Sequence, residues 1–431
     1  MSEFADLLRR NPNYRKLWLG QVVSEMGDYF NNVAVFSLAM ETTGSGLVVS
    51  AVMISRAIPA VIAGPISGVL LDRFDRRRIM IASDVVRSIV ALGFLLSIHY
   101  HGAWLLYVLS ALLMFASPFF TSGRAAILPT IASKEELHAA NSLTQTTQWA
   151  TLTVGTILGG LSTAHLGYEW AFILNALSFL FSAVAVWRMR GKEGAFRAPR
   201  TGITSSRVRP WSEYKEGLAY MRSVPLVTGI GLISVGWAMG GGAAQILFAL
   251  FGEQVFKRGA EGIGTIWGFA GLGLLAGGAI AHLAGRGLSF RGYKKAVTIS
   301  YLVHGAAYIA FSKAEWYWAA LLLILLSRVG MAVTTVLNNY QLLQHTPNEY
   351  LGRVFSTMES LRWFTMMISM ALAGVASEYY SARVIGVVAG ALGCLTAVAW
   401  GWADWRGKLP EPAAAGAAEQ SAPRGTPLES A

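Results

Sequence analysis

Twelve apolar runs punctuate this chain, and a run of about 20 residues is what an α-helix needs to cross a hydrocarbon core roughly 30 Å thick. In lipid a segment must satisfy its own backbone N–H and C=O groups, so the pattern predicts an all-α membrane protein with twelve transmembrane helices. The runs cover 17–40, 47–71, 79–98, 104–120, 143–165, 170–187, 226–251, 263–283, 296–311, 316–337, 354–376 and 384–402. Composition agrees: with 54% of residues hydrophobic and 14% charged, 431 residues could not cover a soluble surface.

The loops, taken alternately, carry unequal charge. Of the 35 Lys and Arg, all but eight lie at the N-terminus, in the even-numbered loops or in the C-terminal tail. Lys257, Arg258, Lys313 and Arg383 lie on the other side, and Arg56, Arg87, Arg328 and Arg362 fall inside runs. By the positive-inside rule both termini are expected in the cytoplasm. The net charge of +11 is then a topological signal, and bases spread over many short loops do not make the patch that nucleic acid requires. The single cysteine, Cys394, leaves no disulfide framework or cysteine metal cluster to expect. The first residues lack the short apolar core of a removable signal peptide.

Between Arg188 and Arg222 the chain turns polar and basic, dividing the runs six and six. This predicts a six-helix bundle over 1–187, a cytoplasmic linker over 188–222, a second six-helix bundle over 223–405 and a disordered cytoplasmic tail over 406–431. Trp211, Tyr214, Leu218 and Met221 recur at helical spacing, which predicts a short amphipathic helix at the membrane surface. A faint repeat supports the division. Setting Glu135 on Glu349 brings EELHAANSL onto EYLGRVFST, and the same register sets Gly160 on Gly374. Parallel six-helix repeats with a substrate site near the midplane between them are a known transporter plan.

After the second run comes GVLLDRFDRRRIM, Gly68 to Met80. Gly68 permits close helix packing, Asp72 can complement the positive N-terminal end of a neighbouring helix, and Arg73, Arg76 and Arg77 can hold the cytoplasmic face through ion pairs. The stretch resembles the loop signature between the second and third helices of the major facilitator superfamily, with Asp75 where that signature has glycine. NPNYRKLWLGQVVSEMGDYF, RAAILPTIASKEELHAANSL and LLQHTPNEYLGRVFS resemble the drug:proton antiporter branch that contains macrolide efflux proteins and the enterobactin exporter. The resemblance implies the two-bundle fold, and a cytoplasmic gate in which Asp72, with Arg73, Arg76 and Arg77, docks near Leu351 in the outward-facing state. Asp84 and Arg87, three apart, can pair and tie the third helix to that loop, or can touch substrate.

An ionisable group at bilayer depth costs about 3 kcal/mol on insertion scales, so it should face a cavity or a partner. Glu25, Asp28 and Asn32 share one face of the first helix. At 1.5 Å per residue from Leu17 they begin about 12 Å deep at Glu25 and reach about 17 Å at Asp28, near the midplane. Asp28 is the first choice for a proton or cation site, since protonation and a cationic substrate can compete for one carboxylate. Arg56, well inside the second run, offers the alternative of a static pair with Asp28 or Glu25. Glu359 and Arg362 are also three apart, and the register of the repeat sets them opposite Gln145 and Gln148. One half then offers amides and the other an ion pair across one cavity, the alternative being a pair internal to the eleventh helix. Arg328 needs a partner that the sequence does not name.

No P-loop, G-x-S-x-G elbow or HExxH motif occurs, so an enzyme is not expected, nor a cofactor or metal. Transport would be driven by an ion gradient or run downhill. The expected function is a secondary exporter of the bacterial-type cytoplasmic membrane. It would act as a monomer in the lipid bilayer, exchanging protons for a hydrophobic or amphipathic small molecule by alternating access. A lipid or lysophospholipid translocator and a non-transporting membrane receptor are the alternatives.

Overall fold

The computed structural model describes residues 2–100, 102–191, 194–197, 210–285 and 287–412, and the regular structure among them is helical. The first seven helices are α1 (Ser2–Arg10), α2 (Pro12–Thr43), α3 (Gly46–Arg73), α4 (Arg76–His99), α5 (Ala103–Ile131), α6 (Lys134–Leu166) and α7 (Tyr168–Trp187). After them come α8 (Pro210–Ser223), α9 (Pro225–Leu250) with a π-helical turn over Phe251–Val255, α10 (Gly259–Gly285), α11 (Phe290–Lys313), α12 (Tyr317–His345), α13 (Asn348–Ala376) and α14 (Ala382–Trp405). Apart from α1 and α8, these helices are 20 to 33 residues long. Eight of them are long and apolar enough to cross a membrane. The long helices that fall short of that measure, α2, α6, α11 and α13, are more polar; α2 and α13 carry Glu25, Asp28, Glu359 and Arg362.

Local chemistry sets the helix ends. Asn11 caps α2 by accepting from the Tyr14 N–H at 2.9 Å, Pro12 opens the first turn, and Gly44 ends it with φ 63 in the left-handed region. Asp75 caps α4, its carboxylate accepting from the Arg78 N–H at 3.1 Å with φ −69. That conformation suits any residue, which explains why aspartate stands where the signature has glycine: the turn needs a cap and no positive φ.

Packing repeats. In the first half α2 packs on α6 and α7, α4 on α5 and α7, and α3 on α5; in the second, α9 packs on α13 and α14, α11 on α12 and α14, and α10 on α12. Across the halves α6 packs on α10 and α13 on α3. The faint sequence repeat has a geometric counterpart here. A Cβ on Gly160 would collide with the backbone of Ala260 and Gly264 on α10, whereas its repeat-mate Gly374 abuts Ser50 and Leu47 of α3. Gly264 lies against the Thr156 carbonyl, and Ser50, which the same register pairs with Gly264, donates its hydroxyl to the Met370 carbonyl at 2.8 Å. One close crossing is therefore built twice in one register.

The two ends differ. At the end carrying Ser45 the halves are joined by hydrogen bonds from Ser45 Oγ to Glu378 Oε1 (2.6 Å) and from Gln254 Nε2 to the Gly44 carbonyl (2.8 Å). At the opposite, basic end Asp72, Arg73 and Glu359 are exposed, and a side-chain carbon added at Gly68 or Gly352 would meet no neighbouring element within 4 Å. Among the described residues, hydrogen bonds thus join the halves at the Ser45 end and none joins them at the basic end.

The amphipathic segment of the central loop is α8. It docks on the start of α13 through buried Gly217, Tyr220 stacked on Tyr350 (4.6 Å) and an Arg353–Glu216 ion pair at 3.1 Å, while buried Met221 lies against Gly231 of α9. The Trp211 side chain and linker residues 198–209 lie outside the described residues. The chain expected to leave the fold at Arg406 stays packed to at least Leu409, which is buried against Trp400; residues 413–431 are outside the described ones.

Candidate functional site

The site grows from α2. Gly27 lets that helix press on α7, since a Cβ there would strike the side chains of Ser178 and Asn175. The close approach turns the face carrying Glu25, Asp28 and Asn32 toward the remaining interior. Asp28 Oδ2 stands 3.8 Å from Arg87 Nη1, and Arg87 also donates to Asp84, which is fully buried. The Arg87 guanidinium is sandwiched by Phe179 at 4.3 Å and Phe120 at 4.9 Å. Asp28 Oδ1 is buried with no hydrogen-bond partner among the described residues. Arg87 thus serves two carboxylates unequally, closely bonded to Asp84 and more loosely held to Asp28.

Glu25 belongs to a second pair. Its Oε1 accepts from Gln21 Nε2 (2.8 Å) and Arg124 Nη1 (3.3 Å), and its Oε2 accepts from the Thr151 hydroxyl (2.9 Å). Arg124 is the residue that sequence reasoning missed. The polar TSG triplet after Phe120 ends the apolar run, so Arg124 counted as a loop cation; α5 in fact continues to Ile131 and carries Arg124 into the interior. A usable signal was Glu25 itself, an acid on a polar helical face that still needed a cation.

Arg56 forms no ion pair with Asp28 or Glu25 among the described residues, so the alternative of a static pair is not realised. It points past Phe36 (5.9 Å) toward Met114 Sδ (3.9 Å), with Nη1 unbonded among the described residues. With Asn32, Tyr29 and Phe36 it lines a cavity of about 240 Å³, whose far wall is Gln245 of α9 and Trp267 of α10. That cavity therefore lies between the halves. Gln145 is exposed, Gln148 is half-buried, and neither lines it. Glu359 and Arg362 pair within α13 at 2.5 Å, and Arg362 lies over Trp237 (5.7 Å). Both face a second cavity of about 170 Å³ inside the second half, shared with Trp237, Tyr301 and Asn338.

The gate residues divide. Arg76 donates to the Ala126 carbonyl of α5 at 2.7 Å, and Arg77 donates to the Trp187 carbonyl at the end of α7, so both tie the loop to the first half. Among the described residues Asp72 and Arg73 form no hydrogen bond or ion pair with the second half, and a side-chain carbon added at Gly68 would meet nothing within 4 Å. Asp84 and Arg87 are paired as expected, but deep in α4 rather than at the loop.

Two alike sets of long helices, meeting at a charged and partly hollow interior, define a multi-pass membrane transporter. The chain belongs to the Major Facilitator Superfamily, whose family model matches residues 17–365. It is 26% identical to the putative bacilysin exporter BacE of Bacillus subtilis (strain 168), over 81% of this chain and 84% of the relative. It is 24% identical to macrolide efflux protein A of Streptococcus pyogenes, over 84% and 88% respectively. A bacterial homologue of the iron transporter ferroportin, crystallised in an inward-facing state, superposes with TM-score 0.66 at 17% identity, covering 90% of this chain and 98% of that one; this likeness concerns the fold alone.

Proposed function

We propose that the protein is a proton-coupled exporter of a hydrophobic or amphipathic small molecule, acting as a monomer in a bacterial cytoplasmic membrane. In this reading twelve helices span the bilayer and both termini and the basic end are cytoplasmic. Residues 1–187 and 223–405 are bundles that rock about the close α6–α10 and α3–α13 crossings, joined by the linker 188–222 and followed by the tail 406–431. The open basic end then gives an inward-facing conformation. The observation that carries the coupling is the half-engaged carboxylate of Asp28, one oxygen 3.8 Å from Arg87 and the other buried without a partner among the described residues.

The chemistry follows from competition. Ionised, Asp28 draws Arg87 away from Asp84; protonated, it releases Arg87 to Asp84 and removes one charge from the α2–α4 interior. A cationic or polar substrate group reaching the Asn32–Arg56 cavity competes with that proton electrostatically. Glu25, held by Arg124, Gln21 and Thr151, is the static member that orients α2 against α5 and α6. The names of the bacilysin and macrolide relatives support amphipathic cargo and outward direction. In the outward-facing state Asp72 and Arg73 dock on the start of α13 near Leu351 and seal the cytoplasmic side; in the inward-facing state Gln145, Gln148, Glu359 and Arg362 line the vestibule.

The test is dye or macrolide transport in proteoliposomes under an imposed pH gradient, wild type against Asp28→Asn at matched reconstitution. Loss of only the gradient-dependent component is expected in the variant; equal coupling in both would remove Asp28 from the mechanism. A second reading, lipid translocation, is favoured by an apolar groove of about 380 Å³ between α10, α11 and α12, lined by Ile280, Ile299 and Val333. Through Gly285 and Leu288 it continues into a cavity of about 480 Å³ bearing Gln341 and Gln344. Transport competed by lysophospholipid and indifferent to collapse of the proton gradient would favour that reading.

A further inference from the structure

Arg328 lies in the middle of α12, 7% exposed, in a part of the second half that the coupling network does not reach. No carboxylate among the described residues pairs with it. Its contacts are the Met331 sulfur at 3.4 Å from Nη1 and the faces of Phe248 (5.2 Å) and Tyr308 (6.0 Å). A thioether is a weak acceptor and aromatic faces recover only part of a guanidinium's lost hydration, so the positive charge is left largely unbalanced.

Two further groups converge on the same place. The Tyr301 and Tyr308 hydroxyls are buried, with their residues 2% and 3% exposed, and neither has a hydrogen-bond partner among the described residues. Arg328, both tyrosines and His304 line one void of about 10 Å³, walled on the α9 side by Gly236, Gly240 and Gly241. His304 is already committed, its Nδ1 2.8 Å from Ser327 Oγ and 3.0 Å from the Ser327 carbonyl, and it adds no acid. Three donors and a net positive charge around a space of about one water-sized sphere set the occupant's chemistry.

We propose that this void is a binding site for one small monovalent anion of the halide class, accepting from the Arg328 guanidinium and from the Tyr301 and Tyr308 hydroxyls. Water would accept from two of these donors but would leave the guanidinium charge unbalanced. A substrate carboxylate is too large unless Trp237 moves aside. That ring lines both this void and the 170 Å³ cavity beside Arg362, so the ion enters from the basic end past Trp237.

The experiment is thermal unfolding of the full-length purified protein in detergent at constant ionic strength, exchanging sodium gluconate stepwise for chloride or bromide. A ligand that binds only the folded state raises Tm with its concentration. Wild type should show a rise with both halides. Tyr308→Phe should need roughly tenfold more chloride for the same rise, the loss of one charge-assisted hydrogen bond, and Arg328→Met should show no rise. If Arg328→Met does not fold, Tyr301→Phe combined with Tyr308→Phe serves in its place, and a strongly weakened halide response is the supporting result. A wild-type Tm identical in gluconate and chloride, or a halide rise undiminished in these variants, overturns the site.

Discussion

The two halves share a backbone plan and differ in what they bury. Helices α4 and α11 begin at Arg76 and Phe290, and α5 and α12 at Ala103 and Tyr317, both pairs in the register that sets Gly160 on Gly374. On that register Arg87 answers to Tyr301, Arg124 to Asn338 and Met114 to Arg328. The first half gathers Glu25, Asp28 and Asp84 with Arg56, Arg87 and Arg124 on or behind one face. The second fills the corresponding positions with neutral groups, such as Tyr293 donating to Asn338 Oδ1 at 2.8 Å. Since the second half holds the same packing without the ions, the plan does not need them. Buried ion pairs seldom stabilise more than apolar residues of the same volume. The difference assigns shape to the repeat and the linked set of carboxylates and cations to the first half, while the second keeps its charges elsewhere, at Arg328 and the Glu359–Arg362 pair.

The sharpest way to break this comparison is Arg87→Met. It strands fully buried Asp84 and should cost about 3–5 kcal/mol of stability, the usual penalty of breaking a buried pair. Thermal unfolding followed by tryptophan fluorescence reads the loss, and Arg87→Met with Asp84→Leu should recover most of it. A single variant as stable as wild type would show that the network is solvated.

Next in size is the crossing. Gly264→Val drives a side chain into the Thr156 carbonyl and Gly160, an overpacking cost of about 1–3 kcal/mol that should open the sealed end. With Cys394 replaced by Ala, labelling of Gln245→Cys in the cavity between the halves by an impermeant thiol reagent supplied from the Ser45 side should speed up roughly tenfold, the equivalent of about 1.4 kcal/mol; unchanged labelling would mean that the crossing does not control the seal. Ser50→Ala is milder. It makes the α3–α13 crossing more like its glycine counterpart and should cost about 0.5–1.5 kcal/mol for one hydrogen bond, read as a small drop in Tm. Smallest is Asp75→Gly, which restores the signature residue and should cost only a few tenths of a kcal/mol, roughly what a Gly at an N-cap loses. A larger drop in Tm would mean that Asp75 does more than cap α4.

The apolar runs show where the helices lie, and the polar face of α2 shows where to look for the site, because both are properties of one helix at a time. Partner choice is not such a property. Arg56 offered a static pair with Asp28 or Glu25 as an alternative because α2 and α3 are consecutive, but α2 packs chiefly on α6 and α7, and the cation that reaches Asp28 comes from α4. Arg124 was hidden for a different reason: three small polar residues interrupt hydropathy without interrupting the helix. The internal repeat was faint because short membrane segments resemble one another by composition. Its meaning emerges only where Gly160 and Gly374 make the same crossing in three dimensions.

The seal at the Ser45 end consists of few polar links. The hydrogen bonds of Ser45, Gln254 and Ser50 contribute about 1 kcal/mol each, so together they bias the closed arrangement roughly a hundredfold over one that lacks them. A cargo held at micromolar strength carries about 8 kcal/mol. Less than half of that, if withheld from one conformation and granted to the other, inverts the population. In the proposed exporter such a latch leaves direction to what occupies the interior, and its three hydrogen bonds act together with the close α6–α10 and α3–α13 crossings.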